Sequence, residues 1–337
     1  MLGTTVVDDL APTMLQRLKI TDQTASQSIE RLIERGYLQR PDNPGGPRQP
    51  TPAATELGAR LLFEAQRAIL VDRWDEFPFR SGDIVICTHP KSGTTWMQMI
   101  CALLIFQTPS LPVNLQELSP WLDENDVPRS EVFAKLAAQK HRRIIKTHTS
   151  LAEIPAAADP RVTYIVVARN PFDVAVSWHS QQALLNPEQN KTIREEIPDM
   201  IDKMGSPVMG EMTFFDGVLK IMSAAWELRN HSNVILVHYE DLSADLAGEM
   251  RRLARRLDIT VPEDKWPSLV QAATFKQMRA DAEQLQPLAD QIKEPTAFFR
   301  SGSSGEGQAL VTPDDAARYR TRAARVASQE LLEWLHR

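Results

Sequence analysis

The chain of 337 residues carries two cysteines, Cys87 and Cys101. That is too few for the disulfide framework of a small secreted domain. Both are expected to be buried small hydrophobes in a reducing cytoplasm, not a disulfide or a metal pair. No His/Cys cluster stands at metal-ligand spacing, so no bound metal is expected. No apolar run reaches the ~18 residues of a membrane span. Met1 to Asp9 lacks a basic start and an apolar core, which argues against a secretory signal. Positive charge is in deficit, with 38 Lys and Arg against 44 Asp and Glu and a formal net charge of −6. That balance argues against a protein whose main business is wrapping nucleic acid, while leaving room for a local basic pocket. No internal repeat is present.

What remains is the make-up of a soluble globular protein, 42% hydrophobic and 24% charged. The length suits one large α/β domain with a small one beside it. From Trp74 onward, buried-strand candidates lie at Asp83–Thr88, Arg143–Lys146, Val162–Val167 and Asn233–His238. Helical stretches near 93–106, 171–184, 215–230 and 243–257 separate or follow them. The alternation predicts a mostly parallel sheet with helices on both faces, and ligands at the carboxyl ends of its strands. The segment 186–213 is polar, with scattered Met200, Met204, Met209 and Met212 and breaks at Pro187, Pro198 and Pro207. It is expected to be a long mobile loop.

The densest signal is Asp83-Ile-Val-Ile-Cys-Thr-His-Pro-Lys-Ser-Gly-Thr-Thr-Trp96. An apolar strand runs into a tight polar turn and then a helix start. The unpaired N–H groups of a first helical turn, together with the helix dipole, make an anion cradle. Lys91 adds a full cation; Ser92, Thr94 and Thr95 add hydroxyl donors. Read alone, a Ser/Thr-rich helix start also fits an ordinary N-cap. The nucleotide-triphosphatase pattern G-x-x-x-x-G-K-[ST] does not fit, because Lys91 precedes Gly93 and position 88 is Thr. A second strand end gives Arg169-Asn-Pro-x-Asp173-x-x-Val176-Ser177, with Pro171 at a tolerated first helical position. Arg suits phosphate, since its planar fork pairs two oxygens at once. A third strand end gives Lys146-Thr147-His148. A lone His there is commonly structural. Beside the other two motifs it is a candidate general base, matched to proton transfer near pH 7.

Pro-Lys-Ser-Gly-Thr-Thr-Trp resembles the 5′-phosphosulfate loop of the cytosolic sulfotransferases, which move a sulfuryl group from 3′-phosphoadenosine-5′-phosphosulfate (PAPS) to an alcohol, phenol or amine. The likeness runs from about Gly82 to Arg320. It implies a P-loop NTPase-like α/β sulfotransferase fold, with PAPS as donor and no metal. By the same resemblance Arg169 and Ser177 hold the 3′-phosphate, His148 is the catalytic base, and Lys91 and Lys146 neutralise charge on the leaving phosphate. Gly93 belongs to the loop. Tyr239, in Tyr-Glu-Asp-Leu242, contacts the adenine side; Trp96 and Phe275 are placed to sandwich the purine. Thr274-Phe-Lys-Gln-Met278 is similar to the family's Ser-Phe-x-x-Met run, with Ala273 where threonine is common. The family's Arg-Lys-Gly-x-x-Gly-Asp-Trp becomes Arg300-Ser301-Gly302-Ser303-Ser304-Gly305-Glu306-Gly307. Arg300, Gly302 and Gly305 remain as a 3′-phosphate nest, and Arg300, Ser301 and Gly302 are carried over as cofactor-binding positions. Ser for Lys and Gly for Trp imply weaker donor affinity and a loop mobile before binding. Pro313 replaces the valine of the family's short dimer motif, so that contact is not expected. His89 and His179 are read as packing or pocket-lining residues.

Residues 1–70 read differently from the sulfotransferase-like 71–337. Thr21 caps a helix with Ala25, Ile29, Leu32 and Ile33 on one face, and Gly36 ends it. A short strand Tyr37–Arg40, a Pro/Gly-rich turn and a helix near Ala53–Ala68 follow. The whole resembles the helix-turn-helix and wing of MarR-type regulators, a mostly helical winged-helix-like unit. DNA contact would fall to Gln23, Thr24, Ser26 and Gln27. The wing has only Arg40 and Arg48, so a packing role is favoured over nucleic-acid binding. The acceptor is expected to be a small, apolar hydroxylated molecule or glycolipid, held by Pro120-Trp-Leu, Phe133 and the methionines up to Phe215. The alternative is a transcriptional regulator that uses a degenerate sulfotransferase domain as a ligand sensor.

Overall fold

The computed structural model describes residues 73–124, 127–154, 159–186, 188, 190–203, 213–285 and 294–337. The winged-helix-like segment, together with Met204, Met209, Met212, Pro187 and Pro207, lies outside the described residues. Four apolar runs form β1 (Ile84–Cys87), β2 (Ile144–Thr147), β3 (Thr163–Ala168) and β4 (Val234–His238). They pair in the order β2-β1-β3-β4, every pair parallel. Val85, Ile145, Val166 and Val234 enter the core on one face; Ile86, Ile144, Ile165 and Ile235 enter it on the other. A strand covered on both sides reads as an unbroken Ile/Val run, which is why these were legible.

Helix α1 (Thr94–Phe106) follows β1, and α2 (Pro171–Leu185) follows β3. The side chain of Asn170 accepts from Phe172 N–H at 3.0 Å, so Asn170 and Pro171 together start α2. Within the expected loop 186–213 the structure folds a helix, α3 (Ile193–Asp202). Pro198 does not break it. The lost backbone donor is offset by burial of Ile197, Met200 and Ile201 on one side. Thr192 N–H and Oγ1 both donate to Glu195 at 2.8 Å, closing the helix start. Helix α4 (Phe214–Glu227) returns the chain to β4, and α5 (Tyr239–Ala244) and α6 (Leu246–Arg256) follow it. No described helix is long and apolar enough to cross a membrane.

The amino end of the sheet is anchored by a buried ion pair. Arg143 and Asp83 are each 1% exposed. Arg143 Nε donates to Asp83 Oδ1 at 2.8 Å, Nη2 to Oδ2, and Nη2 also to the Pro78 carbonyl at 2.9 Å. Phe77 lies 4.8 Å from the guanidinium and packs on Phe133. Phe133, expected at the acceptor pocket, therefore belongs to this amino-end aromatic cluster. Removing one partner leaves the other buried and unpaired. Asp83→Ala is expected to cost about 3–5 kcal/mol of unfolding free energy in urea denaturation. A loss below about 1 kcal/mol would show that Pro78 and solvent satisfy Arg143 without the carboxylate.

The sheet order also sets the site. The chain leaves β1 for β2 on one side and then crosses to β3 on the other. A reversal of this kind places the ligand crevice at the carboxyl ends of β1 and β3, where the turns at Lys91 and Arg169 emerge.

Candidate active site

Past Cys87 the chain turns through Thr88–Gly93 into α1. Lys91 and Gly93 take φ of 70° and 110°, in the left-handed region. At Gly93 a Cβ would stand 3.2 Å from the Tyr239 ring and 3.4 Å from Val167. Glycine is thus required twice, for its backbone angle and for close approach. Gly93 caps α1 without a side chain, which leaves the first-turn N–H groups without a side-chain acceptor from the cap. Thr88 and Thr94 hydroxyls are 2.6 Å apart, and the buried Ser92 N–H donates to the His89 carbonyl at 3.2 Å. Thr95 is half-buried; Trp96 Nε1 donates to the Ala273 carbonyl at 2.8 Å.

Both lysines of the crevice lie over aromatic rings. Lys91 Nζ is 4.0 Å from the centroid of Phe298, and Lys146 Nζ is 4.1 Å from that of Trp121. Neither ammonium pairs with a described carboxylate. Burial, with Arg169 and Lys146 nearby, pushes Lys91 down to about 7. Burial likewise brings Lys146 to about 8, against the opposing pull of Asp123 and Glu124. Arg169 lies 4.3 Å from the Tyr239 ring centroid and donates to the Lys91 carbonyl at 3.2 Å and the Ser303 carbonyl at 3.0 Å. Its Nε is buried with no partner.

His148 follows β2. Its Nδ1 lies 2.7 Å from the Thr88 carbonyl, which only accepts. The proton therefore sits on Nδ1, and Nε2 carries the lone pair. Burial, then the charge of Lys146, holds the imidazole well below its usual range, so it is neutral at pH 7. Trp121 meets the ring edge-on at 5.1 Å. Lys91, Lys146, His148 and Arg169 thus gather at the ends of three adjacent strands, each close enough to perturb at least one of the others.

The remaining residues divide. Tyr239 stands between Arg169, Gly93 and Trp96, whose ring is 5.1 Å away. Ser177 is half-buried, two turns into α2. Thr274 caps its own helix, accepting from Gln277 N–H at 3.3 Å. Met278 is buried in the core. Gly302 presses on Phe275, where a Cβ would meet the ring at 2.5 Å. Arg300 pairs with Glu306 at 2.5 Å, and Ser301 Oγ is 3.4 Å from Ser303 N–H. His179 pairs with Glu196 at 2.8 Å, and His89 is buried edge-on to Phe214, in keeping with packing roles. Nothing in the sequence signalled Phe298, whose contact with Lys91 joins residues far apart in the chain.

Residues 81–329 match the family model described as the sulfotransferase domain. The chain belongs to the sulfotransferase family. Glycolipid sulfotransferases of Mycobacterium bovis BCG and Mycobacterium tuberculosis are 37% and 36% identical to it, over 80% of this chain and 93% of each relative. A rabbit amine sulfotransferase is 25% identical over 74% of this chain and 82% of its own. In fold the chain is similar to a mouse sulfotransferase complexed with PAP (TM-score 0.61, 22% identity, 79% of this chain and 92% of that one). A retinol dehydratase complexed with retinol and PAP gives a TM-score of 0.61 at 19% identity, over 79% of this chain and 86% of that one.

This sulfotransferase departs from the family pattern at Gly307, and the departure is built in. A Cβ there would lie 2.3 Å from the Phe172 carbonyl carbon, so tryptophan has no room. The Gly305 and Gly307 N–H groups each donate to the buried Asp173 carboxylate at 2.8 Å. The loop expected to be mobile is therefore tied to α2 in this sulfotransferase, by a carboxylate four residues after Arg169.

Proposed function

We propose that this sulfotransferase moves the sulfuryl group of PAPS to a hydroxyl of an apolar acceptor, most readily a glycolipid, with His148 as general base. The observation that carries the reading is the pair of unneutralised cations, Lys91 and Arg169, bracketing a helix start in one crevice. Cations gathered at a helix start, one with a buried unpartnered N–H, are what a site for a multiply charged anion requires.

In this reading Lys91, Ser92, Gly93, Thr94 and Thr95 hold the 5′ end. Arg169 and Ser177, with Arg300, Ser301 and Gly302, hold the 3′-phosphate. Trp96, Tyr239, Thr274 and Phe275 flank the purine, and Met278 backs Phe275 from the core. The donor supplies an activated sulfur–oxygen bond. His148 Nε2 takes the acceptor proton as the acceptor oxygen bonds to sulfur. The sulfur–phosphate oxygen bond breaks, its electrons stay on the phosphate, and Lys91 and Lys146 offset that charge. Fixed cations suffice because a sulfuryl group carries less charge than a phosphoryl group. Trp121, against both Lys146 and His148, is an apolar wall on the acceptor side. The glycolipid is favoured because relatives more than one-third identical bear that name. Cys87 and Cys101 are free and buried, in keeping with a cytoplasmic protein.

Thermal denaturation with PAP, 5′-AMP and ATP tests the donor assignment. PAP at a hundred times its Kd is expected to stabilise the chain by about 2.7 kcal/mol, and 5′-AMP by much less. Equal shifts from all three would sink the 3′-phosphate reading.

A further inference from the structure

We propose that Asp123 is a positioning residue that sets the aim of His148; the proposal rests on His148 acting as the base. Residues 120–122 run beside β2 as a short parallel addition. Lys146 N–H donates to the Pro120 carbonyl and Leu122 N–H to the Lys146 carbonyl, both at 3.0 Å. This register brings Trp121 against Lys146 and His148 and puts Asp123 against the turn that carries the imidazole.

Asp123 is 4% exposed. Its Oδ2 accepts from Thr147 Oγ1 at 2.7 Å, Thr149 N–H at 3.1 Å and Thr149 Oγ1 at 2.5 Å. The residues on either side of His148 are thereby tied to one oxygen atom. Thr149 N–H also reaches Thr147 Oγ1 at 2.8 Å, which closes the turn. A turn this constrained leaves the imidazole little freedom, and Thr88 and Trp121 fix its plane.

Asp123 Oδ1 is buried and has no hydrogen-bond partner. A buried carboxylate with an idle oxygen is costly unless nearby positive charge meets it. Arg73 supplies some. It grips the backbone on both sides of Asp123, donating to the Leu122 carbonyl at 3.0 Å and the Glu124 carbonyl at 2.7 Å. Lys146 lies close enough for Asp123 to favour its charged form. The charged and titratable groups facing Lys146 are Asp123 and Glu124 on the neighbouring segment, His148 on its own turn and Lys91 from the loop after β1. Asp123 is the larger of the two groups that favour its charged form.

The experiment is a set of pH–rate profiles with saturating PAPS and acceptor, for wild type, Asp123→Asn, Thr149→Val and His148→Ala. Asp123→Asn keeps the shape and removes the charge. It is expected to lower kcat at pH 7 by ~10–10²-fold with the KM for PAPS changed less than about twofold, because aim and charge are lost but donor contacts are not. Its alkaline limit should move to lower pH, since Lys146 loses its proton sooner without the carboxylate. Thr149→Val, which keeps the charge, should lower kcat several-fold, roughly, and leave that limit in place. Melting curves on the same samples measure the folded fraction. An Asp123→Asn enzyme whose kcat falls no further than its folded fraction, with the wild-type alkaline limit, overturns the proposal. Normal turnover by His148→Ala would instead remove the base assignment itself, a separate failure.

Discussion

His148→Ala is expected to lower kcat by ~10²-fold or more while leaving PAP affinity within about twofold. The imidazole is held with Nδ1 on the Thr88 carbonyl and Nε2 free to accept a proton. Burial and Lys146 keep it neutral, so it is a ready base at pH 7 without first losing a proton. A neutral hydroxyl attacking sulfur must shed its proton in the transition state, and the other two imidazoles at described strand ends are engaged elsewhere. His238, the last residue of β4, accepts from Glu240 N–H at 3.2 Å and meets Trp334 edge-on. His89 is buried against Phe214 and turned to its own Pro90 carbonyl at 2.9 Å. Steady-state rates with sulfated product measured directly decide the matter. A His148→Ala enzyme that turns over within about threefold of wild type would mean the acceptor loses its proton to water or to the departing phosphate.

Lys91→Ala should be at least as damaging, with a loss of ~10²-fold or more in kcat and a weaker hold on PAP. Its distinguishing mark is a pH dependence. In the free enzyme burial and two neighbouring cations bring Lys91 down to about 7, far below an ordinary lysine. A bound phosphate reverses this, because an adjacent anion favours the charged ammonium. Binding above pH 7 therefore takes up a proton. By linkage PAP affinity is full below pH 7 and falls as pH rises through it, by up to about tenfold per unit. Titration calorimetry from pH 6 to 9 should show this fall in wild type. In Lys91→Ala the slope between pH 7 and 8 should flatten, leaving the part due to Lys146, which titrates near 8. A wild-type affinity independent of pH across that range would show that Lys91 is fully protonated in the free crevice.

The strands and the anion loop were readable because each has a local cause. Ile84–Cys87 and Thr163–Ala168 are short β-branched runs buried on both faces, and such runs need no partner to be recognised. Lys91, Gly93 and Thr94 sit in a turn whose spacing already implies a helix start behind an anion. Helix α3 was missed because Pro198 is a breaker by local rules, and what overrules it is the burial of Met200 and Ile201 in a core drawn from elsewhere. Gly307 was misread for a similar reason. Its lack of a side chain reads as slackness along the chain, yet in space it makes room for the backbone at Phe172 and lets its N–H reach Asp173.

The sequence alone determined where the four strands fall, the strand–turn–helix that cradles an anion, and which residue types stand at the strand ends, since these follow from backbone sterics and burial within a few neighbours. Only the tertiary structure decided which groups share the crevice: Phe298 on Lys91, Arg169 on the Lys91 carbonyl, and Asp123 beneath the His148 turn. Those contacts depend on strand order and on helix packing across long separations. The protonation of Lys91 and His148 comes from the burial that results, and burial is a property of the assembled fold.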